Sequence, residues 1–359
     1  MPSILFTGFP GFLGSELLPR MLQRQPDATA LCVVQSKFAA LAAERALALA
    51  AANPSFRNRI RLLEGDITQP NLGVTIDEGD VREIVHLAAI YDLTVSRDAA
   101  MRVNVDGTRR VVELARRCTA LRRLHYVSTC YVSGRHRGVF GENDIAVGQR
   151  FNNYYEETKQ LAEVEVRQAM ASGLPATIYR PSVVVGDSAT GATQKFDGPY
   201  FVMQWLLRQP RVAFLPVAGR PSRYRFNVVP RDFIIAAIDH LAAHPRSAGK
   251  CYQLADPEPL TVDETIDVIA EATGRRVVRI PLPKSMAKAS LRYVPGLQRL
   301  MRIPPQAIDY FIHPTTYDTA NATADLAGSG IAVPRLRDYL PRLVAFFNAH
   351  PEIGSSAMV

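Results

Sequence analysis

Through its first half the chain alternates short β-branched or apolar runs with longer stretches of helical period, and this alternation limits the fold more than any other feature. Residues 3–7, 30–35, 60–63, 83–87, 124–128 and 176–179 read as strands. Between them, 38–52, 97–117 and 152–172 read as helices, the first almost all alanine, leucine and charge and stopped by Asn53-Pro54. Parallel neighbours need a crossover connection, so strand, helix, strand repeated in this way predicts a doubly wound parallel α/β sheet covered on both faces.

Beyond Arg180-Pro181 the rhythm loosens, and residues 182–223 are rich in glycine, proline and turn formers. A strand over 224–229, a helix over 231–243 and a strand over 251–254 restore it. Then come a helix over 262–273, a strand over 276–280, a proline-punctuated stretch over 281–305 and a terminal helix over 336–349. At roughly 150 residues per domain, 359 residues fit two regions, with the chain crossing between them.

Composition narrows the class. With 47% hydrophobic and 21% charged residues, the chain reads as globular and not as a disordered, collagen-like or coiled-coil protein. Four cysteines, Cys32, Cys118, Cys130 and Cys251, lie far apart without a CxxC pair, so neither a disulfide framework nor a cysteine zinc site is indicated, and a reducing compartment fits. The net charge of +8 is spread along the chain. That suits an anionic small ligand, whereas a nucleic-acid reader needs a basic stripe or a recognition motif. No charged leader precedes the apolar run at Ile4, and no stretch reaches about 18 uninterrupted apolar residues, so a cytoplasmic location is expected.

Directly after the first strand runs Thr7-Gly8-Phe9-Pro10-Gly11-Phe12-Leu13-Gly14, which opens the first helix. Gly8 permits a tight turn, Gly11 lets backbone approach a pyrophosphate, and Gly14 lets helix pack close on strand. The helix N-terminus then offers free N–H groups and a positive dipole end to the anion. A glycine pattern alone is a weak signal. Strand before and helix after make nucleotide binding the stronger reading here.

The spacing is GxxGxxG, and it resembles the short-chain dehydrogenase/reductase superfamily. Asp66 and Ile67, at the end of the third strand, match the family's adenine contact. His86-Leu87-Ala88-Ala89 matches the turn under the nicotinamide, Asn104-Val105-Asp106-Gly107-Thr108 the central helix, and Tyr155-Glu156-Glu157-Thr158-Lys159 the YxxxK motif. The chain beyond that motif makes it similar to extended members. Pro70-Asn71-Leu72-Gly73, Tyr126-Val127-Ser128-Thr129 and Arg180-Pro181-Ser182-Val183-Val184-Val185-Gly186-Asp187-Ser188 resemble the fatty acyl-CoA reductase, male-sterility and thioester-reductase branch. The resemblance implies a Rossmann domain over 1–181 with 224–255 returning to it, and a smaller, mostly helical substrate lobe over 182–223 and 256–359. It implies NADP(H), held by Thr7, Gly8, Gly11, Phe12, Leu13, Gly14, Asp66, Ile67, Ala88, Ala89, Asn104, Tyr155, Lys159, Pro181, Ser182 and Val183. Acidic residues are missing from the end of the second strand, Val34-Gln35-Ser36-Lys37, which favours NADPH over NADH, with Ser36 and Lys37 meeting the 2′-phosphate.

Tyr155 and Lys159 are four apart and so share one helix face. An ammonium beside a phenol is expected to lower the phenol's pKa and make it a usable general acid. Tyr154 is five from Lys159 and turns roughly 100° away. The family pattern puts Thr129 at the substrate carbonyl, with Ser128 as the alternative; Cys130 reads as a packing thiol. The catalytic set is thus Thr129, Tyr155 and Lys159, with no metal.

Other motifs carry less. His240 and His244 are four apart on a helix but lack the HExxH glutamate and read as solvated. GxSxG and GxxxxGK[ST] motifs are absent from the sequence. Tyr200, Phe201, Met203, Trp205, Leu206 and Leu207 read first as helix core and second as an acyl-chain lining. Three readings compete: an NADPH-dependent reductase of a fatty acyl thioester or other lipophilic carbonyl, placed in lipid metabolism; a ketone or alcohol oxidoreductase or nucleotide-sugar epimerase of the same fold; and a cofactor-sensing module without turnover. The intact Thr129, Tyr155 and Lys159 favour an enzyme. The expected partner is a small lipophilic carbonyl or acyl thioester, with no nucleic acid, no transmembrane segment, and homodimerisation left open.

Overall fold

A computed structural model describes residues 1–283, 286 and 308–354. The expected stretch over 281–305 and the last residues of the expected lobe therefore lie largely outside the described residues. The strands, in chain order, are β1 (Ser3–Thr7), β2 (Thr29–Val34), β3 (Ile60–Glu64), β4 (Val81–His86), β5 (Arg123–Val127), β6 (Gly138–Phe140), β7 (Ala176–Pro181), β8 (Val183–Val185), β9 (Val212–Ala218), β10 (Val228–Pro230), β11 (Cys251–Leu254), β12 (Arg276–Leu282) and β13 (Thr315–Tyr317). The helices that matter here are α1 (Gly14–Arg24), α2 (Ala39–Ala52), α3 (Arg97–Ala100), α4 (Gly107–Arg117), α5 (Tyr154–Ala171), α6 (Pro199–Leu207), α7 (Arg231–Ala243) and α8 (Val262–Thr273).

Seven strands form one parallel sheet in the order β11-β7-β5-β4-β1-β2-β3. The interior strands form near-continuous buried runs, as a sheet covered on both faces requires; β1 is buried at all five positions, whereas the edge strand β3 has no buried position. One face packs on Leu17, Leu18, Met21 and Leu22 of α1 and Phe233, Ile234 and Ile238 of α7. The other packs on Val111, Val112 and Leu114 of α4 and Ala162, Val166 and Ala169 of α5. The order in which strands are added reverses between β1 and β4, which run parallel, so the crevice at the carboxyl ends of these strands is the topological switch point where ligands bind in such sheets.

A second core lies outside the sheet and gathers Tyr200, Met203 and Leu206 of α6, Ile266 and Ile269 of α8, and Leu336, Leu340 and Leu343 of the helix Leu336–Ala349. Beside it, β9 and β12 pair in parallel, from Val212 opposite Arg276 to Ala218 opposite Leu282. The sequence left β9 unread because Pro216 interrupts it, and a two-stranded edge tolerates proline. The strand expected over 224–229 forms only at Val228–Pro230, which pairs with β8. Just before it, Phe226 donates instead to Leu260 O at 2.9 Å and Arg225 bridges to Thr261. Among the described residues no helix is long and apolar enough to cross a membrane.

Candidate active site

The carboxyl ends of β1, β4, β5 and β7 bring together segments remote in sequence. After β1, Gly8 takes φ +93° and lies so close to the turn after β4 that a Cβ there would sit 2.9 Å from Ala88 N. A Cβ on Gly14 would sit 2.4 Å from Gly8 O, which explains why the helix can start directly over the loop. Leu13 at the N-cap of α1 supplies no side-chain cap, so the helix end is left for an anion. Thr7 Oγ1 lies 2.8 Å from His86 Nδ1 and accepts from Ala88 N at 3.3 Å. His86 Nε2 lies 3.0 Å from Thr108 Oγ1, and burial, with Lys159 nearby, pushes its pKa down to about 3. This neutral histidine therefore ties β1, β4 and α4 together.

Residues Met101–Asp106 form a π-helical turn between α3 and α4, a distortion that recurs at functional sites. It turns Asn104 inward, 1% exposed. Its Oδ1 accepts from Ile90 N at 2.8 Å and its Nδ2 donates to Thr158 Oγ1 at 3.0 Å. Asn104 thus fixes the loop after β4 against α5. Ile67 packs on the start of α4, where a Cβ on Gly107 would meet it at 2.8 Å.

At the end of β5 the two candidate hydroxyls part. Ser128 donates to Glu163 at 2.7 Å, inside a buried network in which Arg180 pairs with the same carboxylate at 2.7 Å. Thr129 accepts from Tyr131 N at 3.2 Å, and its hydroxyl favours the ionised form of the Tyr155 phenol. Cys130 is buried and donates to Arg180 O at 3.0 Å, a packing role. Tyr155, 8% exposed, points into the site, whereas Tyr154 is 46% exposed.

The expected lowering of the phenol's pKa by Lys159 is not what the free site shows. Burial pushes Tyr155 well above the usual phenol value, against the Thr129 hydroxyl and together with the charges of Glu156 and Asp197. The reason is that Lys159 donates to Tyr126 Oη at 3.1 Å and Val127 O at 2.9 Å. Burial lowers this lysine to about 8, with Glu163 opposing the shift.

Further along, Ser182 N donates to Leu254 O at 3.1 Å, and Ser182 Oγ is buried without a hydrogen-bond partner. Pro181 O is 3.4 Å from Thr129 Oγ1, and Val183 opens β8. At the far end of the crevice Asp66 accepts from Thr68 N at 2.8 Å and from Gln35 Nε2 at 2.7 Å. Burial raises its pKa, but these bonds and the charge of Lys37 outweigh that and keep it ionised. Ser36 and Lys37 are exposed just past β2.

Sequence reasoning passed over Arg45, which reads as a solvated charge on α2. Its guanidinium instead bonds Pro10 O and Ser15 Oγ, the latter at 2.8 Å, beside the glycine loop. Phe196, Tyr200, Phe201, Met203 and Leu206 are buried, which agrees with core rather than lining. His240 and His244 are half-buried, not solvated, and among the described residues no three His, Cys, Asp or Glu side chains could hold a metal. A cleft of about 540 Å³ lined by Arg225, Asp256, Glu258, Glu264 and Tyr317 includes none of the residues around Tyr155.

The residues fit a nicotinamide dinucleotide. The glycine cradle has no room for Cβ atoms, the helix end above it is uncapped, and Ser182 Oγ is an orphan donor near Thr129.

The model of a family described as Male sterility protein matches residues 6–238. The terminal R domain from the myxalamid PKS-NRPS biosynthetic pathway superimposes with a TM-score of 0.79 at 25% identity, over 98% of this chain and 92% of that one. Glycine betaine reductase from Emericella nidulans is 30% identical over 72% of this chain, which spans 21% of that protein. The 3 beta-hydroxysteroid dehydrogenase/Delta 5-->4-isomerase of Mycobacterium tuberculosis is 26% identical over 96% of this chain and 91% of its own length. Against other curated relatives the chain spans 6%, 31% and 36% of their length.

Proposed function

The chain belongs to the Male sterility protein family and is an oxidoreductase of the extended short-chain dehydrogenase/reductase type, and from that premise we propose that it is an NADPH-dependent reductase of an acyl thioester, an acyl-CoA first among them, with the aldehyde as product. The observation that carries the reading is the buried Tyr155 phenol on α5 with Thr129 just past the end of β5, one helical turn from an ammonium fixed at Val127 O.

In this reading the bound nicotinamide supplies a hydride. Tyr155 donates to the carbonyl oxygen as negative charge grows there, and Thr129 gives or relays a second hydrogen bond. Lys159 holds the ribose hydroxyls and keeps positive charge near the phenol. On collapse the proton that Tyr155 gave to the oxygen returns to it as the carbonyl re-forms, the C–S bond breaks with its electron pair on sulfur, and the thiolate takes a proton from solvent. Arg45, Ser36 and Lys37 face the phosphates. Residues 182–223 and 256–359 act as the substrate lobe. Because its aromatic residues form that lobe's own core, the preference for a long acyl chain rests on family membership and not on a visible channel.

Coverage of 91% of a hydroxysteroid dehydrogenase's length supports a second reading, a ketone or alcohol oxidoreductase. NADPH consumption separates the two when acyl-CoAs of increasing length are run beside aldehydes, ketones and UDP-sugars. kcat/KM should rise over the early acyl-CoAs, since each buried CH₂ contributes about 0.8 kcal/mol. Turnover confined to ketones or aldehydes selects the second reading, and turnover of UDP-sugars alone removes both.

A further inference from the structure

Three side chains outside the expected site residues, Tyr91, Lys195 and Asp197, form a linked group beside Tyr155. Tyr91, in the loop after β4, sets its ring edge-on to the Tyr155 ring, with centroids 5.0 Å apart and planes at 71°. The Lys195 ammonium lies 4.0 Å from the Tyr91 ring centroid. It also pairs with Asp197 at 2.6 Å, the two side chains keeping only 21% and 18% of their exposure. The charge of Asp197 in turn opposes ionisation of the Tyr91 hydroxyl.

Lys195 and Asp197 precede α6, so the unit joins a loop of the sheet to the second region directly over the phenol. A cation over the ring and a carboxylate at its hydroxyl hold Tyr91 in one orientation, and partial burial makes both contacts stronger than solvated ones. The edge-to-face contact passes that orientation on to Tyr155.

We propose that Tyr91, Asp197 and Lys195 form a positioning unit for Tyr155, in which the pair holds Tyr91 against the phenol and the balance of its two charges tunes the phenol as a proton donor. The inference rests on Tyr155 being the proton donor of the reading above. The other groups facing the phenol are Glu156 and Lys159 on its own helix, Tyr126 of β5, and Thr129 and Tyr131 after β5. Glu156 and Asp197 are the two carboxylates that oppose ionisation of Tyr155. Glu156 is sealed into the helix start, while Asp197 has a cation that can be removed.

Opposite substitutions should therefore act with opposite sign, which a merely structural role would not produce. The protein is labelled with 3-fluorotyrosine, whose fluorine lowers the phenol's pKa, the Tyr155 ¹⁹F resonance is identified by its loss in Tyr155→Phe, and it is titrated with NADP⁺ bound, whose ring charge lowers it further, to the highest pH at which the protein stays folded. Asp197→Asn should titrate about one pH unit below wild type, and Lys195→Met above it or not at all. In Tyr91→Phe the resonance should respond less to either change, and NADPH affinity should stay within about twofold of wild type in all three variants. Shifts of the same sign, or no difference from wild type, overturn the proposal. Failure of the catalytic reading is seen separately, as turnover that survives Tyr155→Phe.

Discussion

Lys159 and Tyr126 are joined inside the protein, the ammonium donating to the phenol oxygen at 3.1 Å and lying 4.6 Å from the ring centroid. With Val127 O as its second acceptor, the lysine is fixed at the carboxyl end of β5 before any ligand arrives. Preorganisation of this kind lowers the cost of binding. Burial brings its pKa to about 8, so the ammonium is charged below that pH and is lost as pH rises through it. NADPH affinity, measured by nicotinamide fluorescence, should fall above about pH 8 in wild type. Lys159→Met should bind more weakly at every pH without that decline. A wild-type affinity flat from pH 6 to 10 would contradict this.

Tyr155→Phe should keep cofactor binding and lose turnover by roughly 10²- to 10⁴-fold, the usual worth of a placed general acid. Thr129→Val should lose activity in the same sense. Tyr154→Phe should be mild, because that ring faces solvent. Ser128→Ala should lower stability more than turnover, since it takes one hydrogen bond from the buried Glu163 carboxylate. Steady-state kinetics beside urea unfolding decides, and a lethal Tyr154→Phe would reverse the assignment.

The parallel sheet was legible because its strands are short, mostly apolar or β-branched runs separated by stretches of helical period. Helices 231–243, 262–273 and 336–349 were legible to the residue from apolar spacing and flanking breakers. β6 and β13 were not, since Gly138 pairs with Thr315 across a separation that no local pattern records. Within the site, the glycine loop and YxxxK follow from spacing. Arg45, Lys195 and Asp197 do not, because a charge on a helix or loop looks solvated until the fold places it. The partner of Lys159 was likewise hidden: helix geometry put it near Tyr155, but only the end of β5 supplies the acceptors it uses.

Cofactor preference is a third expectation. Gln35 at the end of β2 is committed to Asp66, and no carboxylate follows it to hold a ribose 2′-hydroxyl. Wild type should use NADPH better than NADH. Lys37→Ala should narrow the gap, and Arg45→Ala should raise the KM for NADPH. Equal or better use of NADH by wild type would refute the assignment.

Glu156 gives the sharpest pH test. It follows Tyr155, is fully buried, and accepts from Asn152 N at 2.8 Å while its own N–H is capped by Asn153 at 3.0 Å. Burial raises its pKa from 4.5 to about 7, against the Asn152 and Tyr310 hydrogen bonds and with help from Asp309. Below about pH 4.5 the carboxyl is protonated in both folded and unfolded chains and costs nothing. Between about 4.5 and 7 the unfolded chain releases the proton first, so stability falls, and above 7 the full cost remains, of the order of 3 kcal/mol. Glu156→Gln carries no such charge. Its unfolding free energy relative to wild type should therefore move in the variant's favour as pH rises from 5 to 8, whatever the offset from altered hydrogen bonding. Urea denaturation of both proteins across that range measures it, and a difference independent of pH would show that Glu156 is ionised in the folded protein throughout.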